Sequence, residues 1–165
     1  MPEIIFDNCV LSNFALSDSL TIIKSLYANH AYITDFVMAE NIKGFHKGYT
    51  RLSKIRDALR EGWLKEAALE TMAEIALFET LSVSLGSGES SSIAVSKTRG
   101  LIFACDDKAA RKQASLLGVK LTGTIGILIR AIREKIVERK QANGILGYMI
   151  DQGFYAPFRS IDRGE

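Results

Sequence analysis

Five acidic residues stand where carboxylates can do chemistry. Asp7 ends the apolar run Ile4, Ile5, Phe6, and Asp106 and Asp107 end another from Leu101 to Ala104. Glu89 follows the turn Gly86, Ser87, Gly88, and Glu40 follows Phe36 and Val37 in a helical stretch. Such short apolar runs fit central parallel strands covered on both faces, and ligands of open α/β sheets bind at the carboxyl ends of their strands. Each acid also has a plain structural use. Asp7 is a good N-cap for the helix expected from about Val10, and Glu89 in a first helical turn suits the helix dipole. Glu40 either keeps its head in water at the edge of an apolar stripe or turns inward to meet a cation. Asp106 and Asp107 would repel each other, which calls for compensation by Arg111 and Lys112 one turn on or by a divalent cation.

The elements that must position these acids follow from periodicity. After the first strand, Ser17 and Asp18 offer a helix start, and Leu20, Ile23, Leu26 and Tyr27 recur at helical spacing to about Ala28. Residues 31–34 read as a second strand, with Thr34 and Asp35 capping the next helix, which Gly44 and Gly48 weaken. An amphipathic stretch over 49–61 stops at Gly62, residues 63–69 suit strand or helix, and residues 73–81 continue an apolar helical pattern. Trp63 reads as a packing anchor. The helix opened by Glu89 contains Ser90, Ser91 and Ser92, poor helix formers whose small size permits close approach to another element or a ligand, and Gly100 ends it. Helix 108–117, strand 119–121, helix 127–136 and a last helix stopped at Gly153 complete the alternation, after which Phe154, Tyr155 and Phe158 are expected to close over apolar surface. Strands alternating with helices imply a parallel sheet with helices on both faces.

At 165 residues, 47% hydrophobic and 24% charged, the chain suits one domain over residues 1–165 with a sizeable core. The net charge of +2 announces no polyanion by itself, but it is unevenly spread. Basic residues far outnumber acids between Lys97 and Lys140 and are frequent between Lys43 and Lys65, whereas Glu66 to Glu89 contains no Lys or Arg. That asymmetry suits a polyanion partner or simply a solvated helix face. Cys9 and Cys105 both follow expected strands, and neither has a His in a recognisable nucleophile-and-base relation. With no secretory pattern at the start and no run long enough to span a membrane, the reading is a cytoplasmic protein with reduced thiols.

Three segments in order, GESSSIA from Gly88, DDKAAR from Asp106 and GTIGIL from Gly123, preceded by IIFDNCVLSNF, resemble the small prokaryotic PIN-domain nucleases over essentially the whole chain. The resemblance implies an α/β fold: a three-layer αβα sandwich around a parallel sheet of four or five strands, with the acids at its carboxyl edge. It implies Mg²⁺ or Mn²⁺ held by Asp7, Glu40, Glu89, Asp106 and Asp107, with Asp7, Glu40, Glu89 and Asp107 as the catalytic set, and hydrolysis of RNA phosphodiesters. Oxygen ligands suit those hard cations. Asn8 stands where the family often carries Thr or Ser and can orient water or ligand through its amide. Thr124, with Arg111, falls in the supporting set: Thr124 can hydrogen-bond the acidic cluster or a substrate phosphate, although a helix N-cap is its first expected job. Cys9 departs from the Ser or Asn frequent at its place. Many relatives are toxins held by a small antitoxin, often as homodimers, which adds an antitoxin protein and a second copy to the expected partners. Two other readings compete: a catalytically silent module of the same fold that binds RNA or protein, and a haloacid dehalogenase-type phosphatase. The latter wants a second Asp two positions after Asp7, where Cys9 stands instead.

Overall fold

The computed structural model describes residues 2–162. Its centre is a five-stranded, all-parallel sheet in the order β3-β2-β1-β4-β5. The strands are β1 (Ile4–Phe6), β2 (Ala31–Thr34), β3 (Leu64–Ala67), β4 (Ile102–Ala104) and β5 (Leu121–Thr122). β1 is central and wholly buried, with Ile5 level with Tyr32 on one side and with Phe103 on the other. Strand order reverses direction across β1, so the carboxyl ends of β1 and β4 flank the crevice where open α/β sheets take ligands.

The period of two along β1 divides the core into layers. Ile4 and Phe6 join the cluster containing Phe14, Leu26, Leu128 and Leu146, whereas Ile5 joins Ile93, Phe103 and Ala110 on the opposite face. The first layer is built by α1 (Asn8–Leu16), α2 (Leu20–Tyr27), α4 (Ser53–Glu61), α8 (Thr124–Arg133) and α9 (Arg139–Asp151). The second contains α6 (Ser87–Arg99) and α7 (Lys108–Leu116), with α5 (Met72–Leu81) packed on α6. The helix α3 (Asp35–His46) follows β2 and also packs on α6. This is the expected αβα sandwich.

Several boundaries differ from the sequence reading for local reasons. The helix after Asp7 starts at once, at Asn8, and is separate from α2; Asp18 lies between them with φ of 56° and pairs with Lys54 instead of starting a helix. Gly44 does not break α3, because it is the close-packing point against Leu52, which belongs to a short 3₁₀ turn, Thr50–Leu52, ahead of α4. Segment 63–69 resolves as edge strand β3, with Trp63 buried beside it. β5 falls at Leu121–Thr122 and α8 opens at Thr124, three residues before the expected start. Phe154 and Phe158 pack on the core as expected, whereas Tyr155 is 89% exposed.

One buried ionic lock sits away from the sheet edge. Glu74 caps its own helix with Thr71 and binds Arg99 of α6 at 2.7 Å, while Thr98 donates to the same carboxylate at 2.9 Å. It fixes α5, whose outward residues Met72 and Ile75 are apolar and exposed, onto α6.

Candidate active site

β1, β2, β4 and β5 each run directly into a helix, so α1, α3, α7 and α8 all begin at the carboxyl edge of the sheet. Their N-termini give that edge a positive local field, which favours carboxylates. Asp7 occupies the N-cap position of α1, yet its side chain makes no cap hydrogen bond. It is 3% exposed. Burial, then the charges of Glu89 and Glu40, push its carboxyl up to about 7; the backbone N–H groups of Asn8 and Cys9 offset part of this. Capping alone therefore does not account for a carboxylate this deeply buried at the head of α1.

Glu40 turns toward α6. Its carboxylate lies against Gly88, and a Cβ at Gly88 would collide with it. Burial raises the Glu40 carboxyl, with Gly88 and Lys43 opposing the rise. Glu89, in the first turn of α6, is raised by burial and then by Asp107 and Glu40. Asp7, Glu40, Glu89 and Asp107 thus share one electrostatic neighbourhood. Behind them the serines do what their size allows: Ser90, Ser91 and Ser92 are buried, and Ser91 meets the Thr34 hydroxyl at 2.8 Å.

Asp106 and Asp107 have separate jobs. Asp107 caps α7, accepting from Ala110 N at 2.9 Å. Asp106 is held by Thr124, which donates its backbone N–H at 2.9 Å and its hydroxyl at 2.6 Å. Asn13 completes the network, donating to the Thr124 hydroxyl at 3.0 Å and reaching Asp106 at 3.5 Å. Thr124 is thus the first residue of α8 rather than its N-cap, which is Gly123. A Cβ at Gly123 would come within 2.5 Å of Asp106. The GT of the GTIGIL segment is therefore a cradle for Asp106.

Arg111 does not neutralise the paired aspartates. It donates to Cys105 O at 2.6 Å and Thr122 O at 2.9 Å, tying the ends of β4 and β5 together. Among the described residues, neither it nor Lys112 makes an ion pair with either Asp, and none of Asp7, Glu40 and Glu89 has a salt-bridge partner. Asn8 is half-buried and accepts from Ser12 at 3.4 Å. Both cysteines are free thiols beside the acids; burial, then Asp7, pushes Cys9 up to about 12 and Cys105 higher still, so neither supplies a thiolate.

The donor set, carboxylates without a cationic partner, suits a hard divalent cation. Yet among the described residues no three His, Cys, Asp or Glu side chains stand close enough, as they lie, to enclose one ion. Sequence reasoning missed Asn13. Its signal was a residue that disfavours helix interiors placed within the apolar VLSNFAL run.

Among the described residues no helix is long and apolar enough to cross a membrane. No curated protein matches the chain. Among solved structures, the crystal structure of PAE2754 from Pyrobaculum aerophilum is similar in fold, with a TM-score of 0.52 at 15% identity over 78% of this chain and 96% of that one. A family model described as PIN domain matches residues 3–163, nearly the full length. By that match the chain belongs to the PIN-domain family, whose general character is that of nucleases.

Proposed function

We propose that the protein is a metal-dependent endoribonuclease, a single PIN-like domain that hydrolyses RNA phosphodiester bonds. The observation that carries this reading is the buried Asp7 carboxylate, which makes no side-chain cap bond, is crowded by Glu89 and Glu40, and has no salt-bridge partner among the described residues. Asp7, Glu40 and Glu89 would hold Mg²⁺ or Mn²⁺, with Asp107, and Asp106 beside it, bordering the same space. Such an ion, when bound, activates water and stabilises the leaving oxygen of an in-line displacement.

The chain's own residues prepare that chemistry. Gly88, having no side chain, lets the Glu40 carboxylate approach α6. Asn13 and Thr124 fix the orientation of Asp106, and Arg111 holds the strand ends that carry both the Asp106–Asp107 pair and Thr124. Asn8, the first residue of α1 and the chain neighbour of Asp7, would orient water or substrate through its amide. Lysines and arginines of the surface would hold the polyanion, so affinity should fall with salt. For the cellular setting we propose a cytoplasmic protein and, from family resemblance, the toxin of a toxin–antitoxin pair, with an antitoxin protein and a second copy as partners.

A second reading, a catalytically silent module binding RNA or protein, is favoured by one observation: among the described residues no three candidate ligands lie within reach of a common ion. Incubation of a mixed RNA pool with the purified protein separates the two. Cleavage in Mg²⁺ or Mn²⁺, lost in EDTA and in Asp7→Asn, supports the nuclease. Intact RNA after incubation with folded, metal-supplied, partner-free protein supports the silent module.

A further inference from the structure

We propose that Phe36 and Phe78 form a base-stacking platform for single-stranded RNA beside the carboxylates, with Lys43 and Lys47 receiving the adjoining phosphates along the same stripe of α3. The inference rests on the nuclease reading and adds how the strand is held.

Phe36 of α3 and Phe78 of α5 stack with ring centroids 4.9 Å apart and planes 27° from parallel. Both are only half-buried. Among the described residues neither ring belongs to, or packs against, the two hydrophobic clusters that make the core. By contrast, Phe6, Phe14 and Phe103 are fully withdrawn from solvent. An aromatic pair that the core does not use, with ring surface still open, is suited to a planar ligand, and base–aromatic stacking tolerates any sequence because every base has a π-face.

Position decides which ligand. Phe36, Glu40 and Lys43 lie at i, i+4 and i+7 on one side of α3, and Lys47 follows at its C-cap. Glu40 thus lies between an aromatic surface and exposed ammonium groups, and the charge of Lys43 already reaches it. On the α5 side there is no Lys or Arg from Glu66 to Glu89, so phosphates are drawn toward Lys43 and Lys47 while a base lies toward Phe78. The split between apolar and cationic sides matches the two chemical faces of a single strand. Duplex RNA keeps its bases stacked inward and would offer nothing to the rings.

The test is fluorescence anisotropy on the full-length chain in chelator, where the proposed chemistry stops. The probes are an oligoadenylate of about twelve nucleotides and an abasic ribose-phosphate strand of equal length. The wild type is expected to prefer the base-containing strand by about tenfold. Phe36→Leu and Phe78→Leu, which keep apolar bulk, should lose most of that preference with unchanged abasic affinity and unchanged melting temperature. Lys43→Gln should weaken both strands alike and reduce the slope of log affinity against log salt by about 0.7. Equal wild-type affinity for the two strands, or full preference retained in both Leu variants, overturns the platform while leaving the nuclease reading to the cleavage assay. Absence of binding to either strand counts against both.

Discussion

The Glu40 carboxylate on α3 rests against Gly88 on α6, in a space that a single methyl group would fill. This contact joins the helix after β2 to the helix that carries Glu89, so the spacing between two candidate ligands is set by a missing side chain. Gly88→Ala should therefore displace Glu40 and lower RNA cleavage by about ten- to a hundredfold. Folding should not suffer, since Ala is the better helix former. Gly86→Ala, where a Cβ meets nothing within 4 Å, is the matched control and should cleave normally. Equal rates in the two variants would remove Gly88 from the account.

Asp7 makes the metal-free protein pH-sensitive in a definite direction. Its folded carboxyl stands at about 7 against an ordinary value of 3.8, so between those values the native state binds the proton more tightly than the unfolded chain. Stability falls as pH rises through that window and stays reduced above it. In EDTA, Asp7→Asn should be more stable than wild type at pH 8, by an amount of the order of 3 kcal/mol, and nearly equal to it at pH 4. Urea unfolding at the two pH values checks this. Excess Mg²⁺ should narrow the difference at pH 8 by stabilising only the wild type.

The Asn13–Thr124–Asp106 network should behave as a unit. Thr124→Val preserves shape but removes the hydroxyl that Asp106 accepts at 2.6 Å, and a loss of about 1–2 kcal/mol of stability is expected. Asn13→Ala should cost less. The double variant should lose less than the sum of the two, because both act through one hydroxyl. A strictly additive cycle in thermal or urea unfolding would contradict the coupling.

Glu74 supplies a prediction remote from the site. Arg99 holds its carboxyl down to about 2, aided by the N–H groups of Glu70 and Thr71 and by the Thr98 hydroxyl, with burial opposing. A depressed folded value means the contribution is present above the ordinary 4.5 and is lost as pH falls toward about 2. Glu74→Gln should cost roughly 2 kcal/mol at pH 7, the partly open Arg99 side limiting the effect, and should make little difference near pH 2. Protease cleavage within α5 should rise in step.

Much of this was legible along the chain, and the residues show why. Ile4–Phe6, Ala31–Thr34 and Ile102–Ala104 are apolar runs closed by acids or by a cap, so strand identity and the placement of Asp7 and Asp106 could be read locally. Gly62, Gly100 and Gly118 stop helices with positive φ, as their positions suggested. What stayed hidden depends on distant partners. Arg111 is one turn from Asp107, and sequence spacing allowed an ion pair as readily as a cation; the Cys105 and Thr122 carbonyls took its donors instead. Thr124 was open between a cap and a bond to the acidic cluster, and nothing local reveals that Asp106 is the acid that comes to lie beside it. Glu40 was ambiguous until Gly88, far along the chain, was seen to receive it. The Phe36–Phe78 stack joins two helices that share no periodic signal.

The most direct measurement is Mn²⁺ binding to the purified protein, followed by electron paramagnetic resonance, in wild type and in Asp7→Asn at pH 8. The account predicts saturable binding in the wild type, competed by Mg²⁺, and weakened at least about tenfold by loss of the Asp7 charge. No saturable binding by the folded wild type, or equal binding by both proteins, would contradict the assignment of the Asp7, Glu40 and Glu89 cluster as the metal centre.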